Sequence, residues 1–456
     1  MRDTRISLAG RRGALLGAGS AVGVARIFSL AAAAIQLPLL TSLLSPSEYS
    51  SIALAIAIAT YFSLVSAEPE ILGFQRFPGN DNERSNYRYA LARTLRGIGV
   101  AGLLIVGTAF LLGRTEEAAA FAGWGMGLAA NRLVSTAWLM WGRPWQYAWN
   151  LMAGTGFRTA VLLVLILAGW SPLLSLGAAG MASGVAALVL SPRILLLKRT
   201  PSTKPWPFRF GIHLALASLA YTILTSGNLI VLAAFASTDL VGKYAAMAQI
   251  AALTSAAVLG LLTTVAYPRL RMAWDRGDHA AVHKSLRTLQ FVCLLVASLA
   301  TFATYVADHY LLKLVLPDNF VDGRVLAPLT VATAFATMGM VASWQHQFEL
   351  QAARVARGTA VAAIAGLLIT LILTFEFQER GAAIGAALGF LAYFFVMSPR
   401  ARTSKSTLGL AVIALAVSSS PALFPSLPSD AVASLAMLLA VVACLLAVRT
   451  LRARTV

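Results

Sequence analysis

A chain of 456 residues in which 58% are hydrophobic and only 12% charged cannot be a set of ordinary soluble domains, whose charged share is about 25%. Its 36 Lys and Arg against 18 Asp and Glu give a formal charge of +18. In a soluble chain that surplus would point to nucleic acid; in one that crosses a membrane repeatedly it is the expected load of the cytoplasmic loops, so no nucleic-acid partner is implied.

Apolar windows of about 20 residues predict an all-α polytopic membrane protein with about 14 transmembrane helices. The spans centre near residues 32, 62, 102, 129, 160, 185, 224, 253, 298, 335, 366, 389, 416 and 438. The start, with Arg11-Arg12-Gly13-Ala14-Leu15-Leu16, continues as an apolar stretch through Leu44 and reads as an uncleaved first helix rather than a signal peptide. With both termini cytoplasmic, only Arg114, Lys243, Lys313, Arg324 and Arg380 fall outside and Arg26 and Arg132 fall within spans. The other cations, Arg143 and Arg158 among them, lie in inner segments. Losing one helix would invert every later loop, so this asymmetry fixes orientation and helix parity together.

Arg26 lies about one helical turn inside the first span. It either snorkels to the headgroups along its own stem or faces a cavity and holds a diphosphate with its planar, permanently charged fork. In the same span Gln36-Leu37-Pro38 is expected to interrupt the helix, and Gln36 counts among the candidate substrate contacts. Glu68-Pro69-Glu70 is expected to break the second span near its inner end. The two acids either balance Arg76 at the interface or form a gate that exchanges partners with Arg26. Arg132, beside Asn131 in the middle of its span, is paired with Glu68 or Glu70, or is a second contact for an anion.

Trp138, Trp141, Trp145 and Trp149 recur at helical spacing, although Gly142 and Pro144 interrupt the run. An interfacial belt is the first reading and sugar stacking the second. His279 and His283 lack a third ligand or nearby Cys and read as solvated, and Cys293 and Cys444 stand far apart in apolar runs, so no metal site is expected. Gly381, Gly385 and Gly389 form a small-residue seam suited to close helix packing. No phosphate-binding glycine loop is present for an ATP motor, and no cofactor is expected.

The two halves repeat. Leu40 to Ala53 and Val231 to Ala245 each run from apolar to small and polar, through one acid, into the next helix. Phe77-Pro78 and Tyr267-Pro268 each lead a basic stretch. The expected organisation is a six-helix bundle over 1–203, a second over 204–400 and two additional helices over 401–456, with the Pro-rich segment 200–207 as the seam.

These elements resemble the polysaccharide transporters of the multidrug, oligosaccharidyl-lipid and polysaccharide flippase superfamily, whose best-known members are O-antigen and exopolysaccharide flippases. The resemblance is carried by Arg26-Ile27-Phe28-Ser29-Leu30 through Leu37-Pro38-Leu39-Leu40, the Glu48-Tyr49 turn and Gly242-Lys243-Tyr244. Leu316-Pro317-Asp318-Asn319-Phe320, leading into Val325-Leu326-Ala327-Pro328-Leu329, adds to it. Ser50 stands where such families usually carry Gly. Asn228 stands where their seventh helix often carries Asp, which argues against a cation or proton role there.

The resemblance implies a transporter without covalent chemistry in a bacterial inner membrane. Its substrate would be an undecaprenyl-diphosphate-linked oligosaccharide, flipped from the inner to the outer leaflet by alternating access for surface polysaccharide assembly. Membrane lipids, a glycan polymerase and glycosyltransferases are the implied partners. Substrate contacts fall to Arg26, Arg132, Asn228 and Gln36, and gating to Glu68 and Glu70. The rivals are a multidrug and toxin exporter, which should line its cavity with carboxylates, and a membrane glycan polymerase, for which the loops are short.

Overall fold

The computed structural model describes residues 8–76, 94–95, 97–100, 102, 113–141, 143–191, 208–290, 292–293 and 312–398, and all regular structure among them is helical. In order these are α1 (Leu8–Leu43), α2 (Pro46–Arg76), α3 (Thr115–Met140), α4 (Pro144–Leu167), α5 (Pro172–Val189), α6 (Phe208–Phe235) and α7 (Thr238–Leu261). A π turn (Leu262–Ala266), α8 (Tyr267–Asp275), α9 (Leu312–Val315), a 3-10 turn (Asp318–Phe320), α10 (Gly323–Phe348) and α11 (Ala352–Met397) follow. A further helical stretch covers 279–290. Among the described residues seven helices are long and apolar enough to cross a membrane, so the protein is a multi-pass membrane protein of all-α class. The spans expected near 102, 298, 416 and 438, and the seam at 200–207, lie outside the described residues except for short pieces near 102 and 298.

Neither proline expected to interrupt its helix ends it. Pro38 lies inside α1 and Pro69 inside α2, and both helices run through them. A proline's fixed φ is compatible with a helix, and in a bundle one lost hydrogen bond is tolerated where neighbours or side chains reclaim the freed groups. A break that the apolar pattern predicts between residues 366 and 389 is present within α11. Gln378 takes φ 50° and ψ −125°, and the chain doubles back there. The Gly381 seam is the reason it can close: Gly381 lies on the Leu373 carbonyl, Gly385 on Thr370 and Gly389 on Gly366, positions where a β-carbon would overlap the facing helix. Val361, Ile364, Leu368, Ile372 and Phe375 form an exposed stripe on the first arm at spacings of three and four, the mark of a face made for lipid rather than water.

The chain forms two compact units, one of 1–36, 55–215 and 260–266 and the other of 37–54, 216–259 and 267–456. In the first, α3, α4 and α5 pack on one another. Backbones approach at glycine: Gly123 meets Gly177, Gly127 meets Gly180, and Gly184 meets Gly127, a small-xxx-small interface on both helices. In the second unit, α10 is nearly all buried and packs against α11.

The second unit also contains the tip of the first hairpin, and the duplicated sequence has a structural cause there. Ser45 and Glu48 form a reciprocal cap on α2: Ser45 N donates to Glu48 Oε2 at 2.9 Å and Glu48 N to Ser45 Oγ at 3.3 Å. Ser237 receives Leu240 N at the corresponding start of α7. Gly242 rests against the Pro46 carbonyl, where no side chain would fit. Tyr49 is buried edge-on against Phe320, with 5.8 Å between ring centroids. The motifs that repeat in sequence are thus the caps and contacts that dock these turns.

Candidate functional site

Arg26 sits on α1 beside the face that buries Ala21 and Ala25 against Ala148 and Tyr147 of α4. The guanidinium side of the helix is exposed, flanked by exposed Val24, Ile27 and Phe28. Among the described residues Arg26 has no carboxylate partner. Ten residues on, Gln36 accepts a hydrogen bond from Thr159 Oγ1 at 3.3 Å, joining α1 to α4.

Arg132 is brought to Glu68. Its Nη2 lies 2.5 Å from Glu68 Oε2, with the arginine side chain 33% exposed and the glutamate 7%. The contact is charge against charge rather than an aligned hydrogen bond, since Glu68 Oε2 has no bond of good geometry. Of the two acids expected as partners, Glu68 is the one placed; the Glu70 side chain lies outside the described residues. Asn228 belongs to the second unit, is buried, and donates through Nδ2 to Tyr244 Oη at 2.6 Å while its Oδ1 accepts from Leu229 N. That pairing is neutral at both ends.

One expectation is corrected. Arg158 is not in a cytoplasmic segment: α4 begins at Pro144, a residue suited to a helix's first turn, and Arg158 is about 21 Å along the axis at 1.5 Å per residue. Like Arg26, it lies in a helix long and apolar enough to cross a membrane; α3, which carries Arg132, is not among the seven helices that are. The Arg158 Cζ lies over the Trp124 ring of α3 at 4.8 Å, its Nε is buried without an acceptor, and no carboxylate pairs with it among the described residues. The face that holds it was visible in the sequence, because Asn150, Gly154 and Arg158 repeat every four residues along a helix whose other polar residues are Gln146, Thr155 and Thr159.

A buried polar chain in the first unit also escaped motif reading. Ser183, Asn131, Ser135, Asn150 and Ser191 link α3, α4 and α5. Asn131 Nδ2 donates to Ser183 Oγ at 3.1 Å. Ser135 Oγ lies 3.0 Å from Asn131 Oδ1 and 3.1 Å from Asn150 Oδ1, and its one proton serves one of them at a time. Asn150 Nδ2 donates to Ser191 Oγ at 3.0 Å and to the Ala187 carbonyl at 3.2 Å. Gly154 makes room for the Asn131 amide, which a β-carbon would displace.

The tryptophan run divides. Trp138 is buried and donates to Ser191 Oγ at 2.7 Å, and Trp141 packs edge-on against it, whereas Trp145 and Trp149 are exposed beyond the turn. His279 and His283 lie against the Trp274 ring, the first tilted with 4.2 Å between ring centroids and the second edge-on at 5.8 Å.

No family model matches the chain, and none of the curated proteins matches it. Solved structures do. The lipid II flippase MurJ in an inward closed conformation superimposes with a TM-score of 0.61 at 11% identity, covering 96% of this chain and 99% of that one. MATE in a bent conformation gives 0.57 at 13% identity over 90% and 97%. A multidrug resistance MATE family transporter of the MOP superfamily, outward-facing, gives 0.57 at 15% identity over 83% and 94%. At these identities the likeness defines the fold: a multi-pass helical architecture shared with a lipid flippase and with multidrug transporters.

Proposed function

We propose that the chain is a flippase that moves an undecaprenyl-diphosphate-linked oligosaccharide from the inner to the outer leaflet for surface polysaccharide assembly. The observation that carries this reading is the set of guanidinium groups on the helices of the first unit, two of which, Arg26 and Arg158, lie on helices long and apolar enough to cross a membrane. Arg26 and Arg158 have no carboxylate partner among the described residues, and Arg132 has one. Charged groups in the bilayer are costly and are kept where they meet a partner or a polar path. Planar forks with free N–H groups suit a diphosphate. A hydrated groove would carry the charged head while the prenyl tail stays in lipid, which removes most of the cost of taking diphosphate into hydrocarbon.

In this scheme two bundles, 1–203 and 204–400, rock about the cargo, residues 401–456 stand at the periphery, and both termini are cytoplasmic. Arg26, Arg132, Asn228 and Gln36 line the path. Glu68, held by Arg132, and Glu70 form the gate: Arg132 turns from Glu68 to the diphosphate as the cargo arrives. No bond is made or broken. A polymerase and glycosyltransferases would act before and after the transfer. The fold of a lipid II flippase supports the lipid-linked cargo, and the fold of multidrug transporters supports the rival, a multidrug exporter. Against that rival, the placed acid Glu68 is already neutralised by Arg132, leaving it unavailable to a cationic drug.

Expression in a strain lacking its own O-antigen flippase tests the proposal. Restored surface glycan with unchanged tolerance to cationic dyes is expected. Raised dye tolerance with no glycan restored would move the assignment to the exporter.

A further inference from the structure

At the end of the first unit where α3 passes into α4, a cavity of about 270 Å³ is lined by Trp138, Arg143, Gln146, Trp149, Asn150, Leu190 and Ser191. That is roughly nine waters' share of liquid volume, enough for a phosphate with its glycerol or first sugar and too little for an oligosaccharide. The lining contains no carboxylate. Its floor is the end of the buried polar chain: Ser191, 1% exposed, accepts from both Trp138 Nε1 and Asn150 Nδ2. With both lone pairs filled, a serine hydroxyl has only its proton left to offer.

The walls act in the same sense. Arg143 stands with its Cζ 5.7 Å over the Trp138 ring and has no carboxylate partner among the described residues. It precedes α4 without capping it through its side chain, and the first N–H groups of that helix, which start at Trp145 because Pro144 has none, add to the positive end. Part of the lining is apolar and exposed: Trp149 is 66% exposed and Leu190, which follows α5, 54%, and Val185 and Val189 on the same end of α5 are exposed as well. A site with a donor floor, a permanent cation and an aromatic wall, lined in part by exposed Trp149 and Leu190, selects an anionic head joined to a hydrocarbon tail. We propose that this cavity binds the phosphate headgroup of a membrane lipid, with the tail lying along Val185 and Val189. The proposal does not depend on which cargo the protein carries.

The test uses the full chain reconstituted in phosphatidylcholine vesicles, with tryptophan fluorescence quenched by dibrominated phosphatidylglycerol or dibrominated phosphatidylcholine. The expected result is saturable quenching by the anionic lipid in excess of that by the zwitterionic one, with the excess lost in Trp149→Phe. Arg143→Gln should raise the half-quenching mole fraction roughly tenfold, the loss of one charged hydrogen bond. Relief by unlabelled undecaprenyl phosphate at lower mole fraction than by unlabelled phosphatidylglycerol identifies the carrier lipid as the occupant; the reverse order identifies an ordinary acidic phospholipid. Relief by millimolar inorganic phosphate would overturn the lipid assignment. Equal quenching by the two brominated lipids would overturn the site itself, as would an unchanged midpoint in Arg143→Gln and Gln146→Leu proteins that elute as wild type. None of these readings involves transport, so they stand apart from the test of function.

Discussion

Replacing Arg132 by Met removes one member of a pair whose other member, Glu68, is 7% exposed. At 2.5 Å and an effective dielectric of about 20, the attraction is about 7 kcal/mol before desolvation. Burying the two ions returns several kcal/mol of that. The net value of the pair is therefore small, but removing one side alone leaves Glu68 buried and uncompensated, which costs about 3–5 kcal/mol. Glu68→Gln should cost less, because the Arg132 side chain is 33% exposed and its long stem lets the guanidinium reach other polar groups. The double substitution Arg132→Met/Glu68→Leu should return most of the stability. With the single Glu68→Leu variant as the remaining corner, SDS-induced unfolding in mixed micelles closes the cycle, and the coupling expected is of the order of 2–3 kcal/mol. An Arg132→Met protein as stable as the wild type, or costs that simply add in the double variant, would refute the pairing and return Arg132 to the set of unpartnered guanidinium groups.

Two further outcomes follow from the packing and the charge pattern. Gly127→Ala places a methyl group on the Gly180 carbonyl and should lower stability by at least about 1–3 kcal/mol through forced separation of α3 and α5; Gly23→Ala, which meets nothing within 4 Å, should be neutral in the same unfolding assay. Single cysteines at Asp239 and Asp318 should react with an impermeant maleimide from outside intact cells and cysteines at Arg143 and Arg276 only after lysis; reaction of Arg143→Cys in intact cells would remove the proposed orientation.

The helical class was legible because apolar length is a bulk property that survives any error in placing a helix end. The seam of Gly381, Gly385 and Gly389 was legible for a related reason: four-residue spacing of glycine has one dominant use between membrane helices. Arg158 was misplaced because the start of α4 lies in an aromatic, charged stretch, Arg143 to Trp149, that reads as loop until Pro144 is recognised as a first-turn residue. Pro38 and Pro69 do not end their helices, because one lost hydrogen bond is small against the rest of a helix of 36 or 31 residues. Which acid Arg132 would meet required the packing of α2 on α3. The chain from Ser183 to Ser191 joins residues up to 53 positions apart, Trp138 to Ser191 among them, and no local spacing encodes it.

The central claim is that the intramembrane arginines hold a diphosphate in transit, and transfer of the cargo in a defined membrane tests it most directly. Purified protein in proteoliposomes, supplied with a fluorescent undecaprenyl-diphosphate oligosaccharide in one leaflet, is assayed by exposure of the glycan to an impermeant lectin on the other side. The account predicts transfer by the wild type, loss of transfer in Arg26→Gln at normal insertion, and partial transfer in Arg26→Lys, which keeps a point charge but loses the planar fork. Because Glu68 is held by Arg132, adding Glu68→Gln should not rescue Arg26→Gln. Full transfer by Arg26→Gln, or its rescue by Glu68→Gln, would contradict the account.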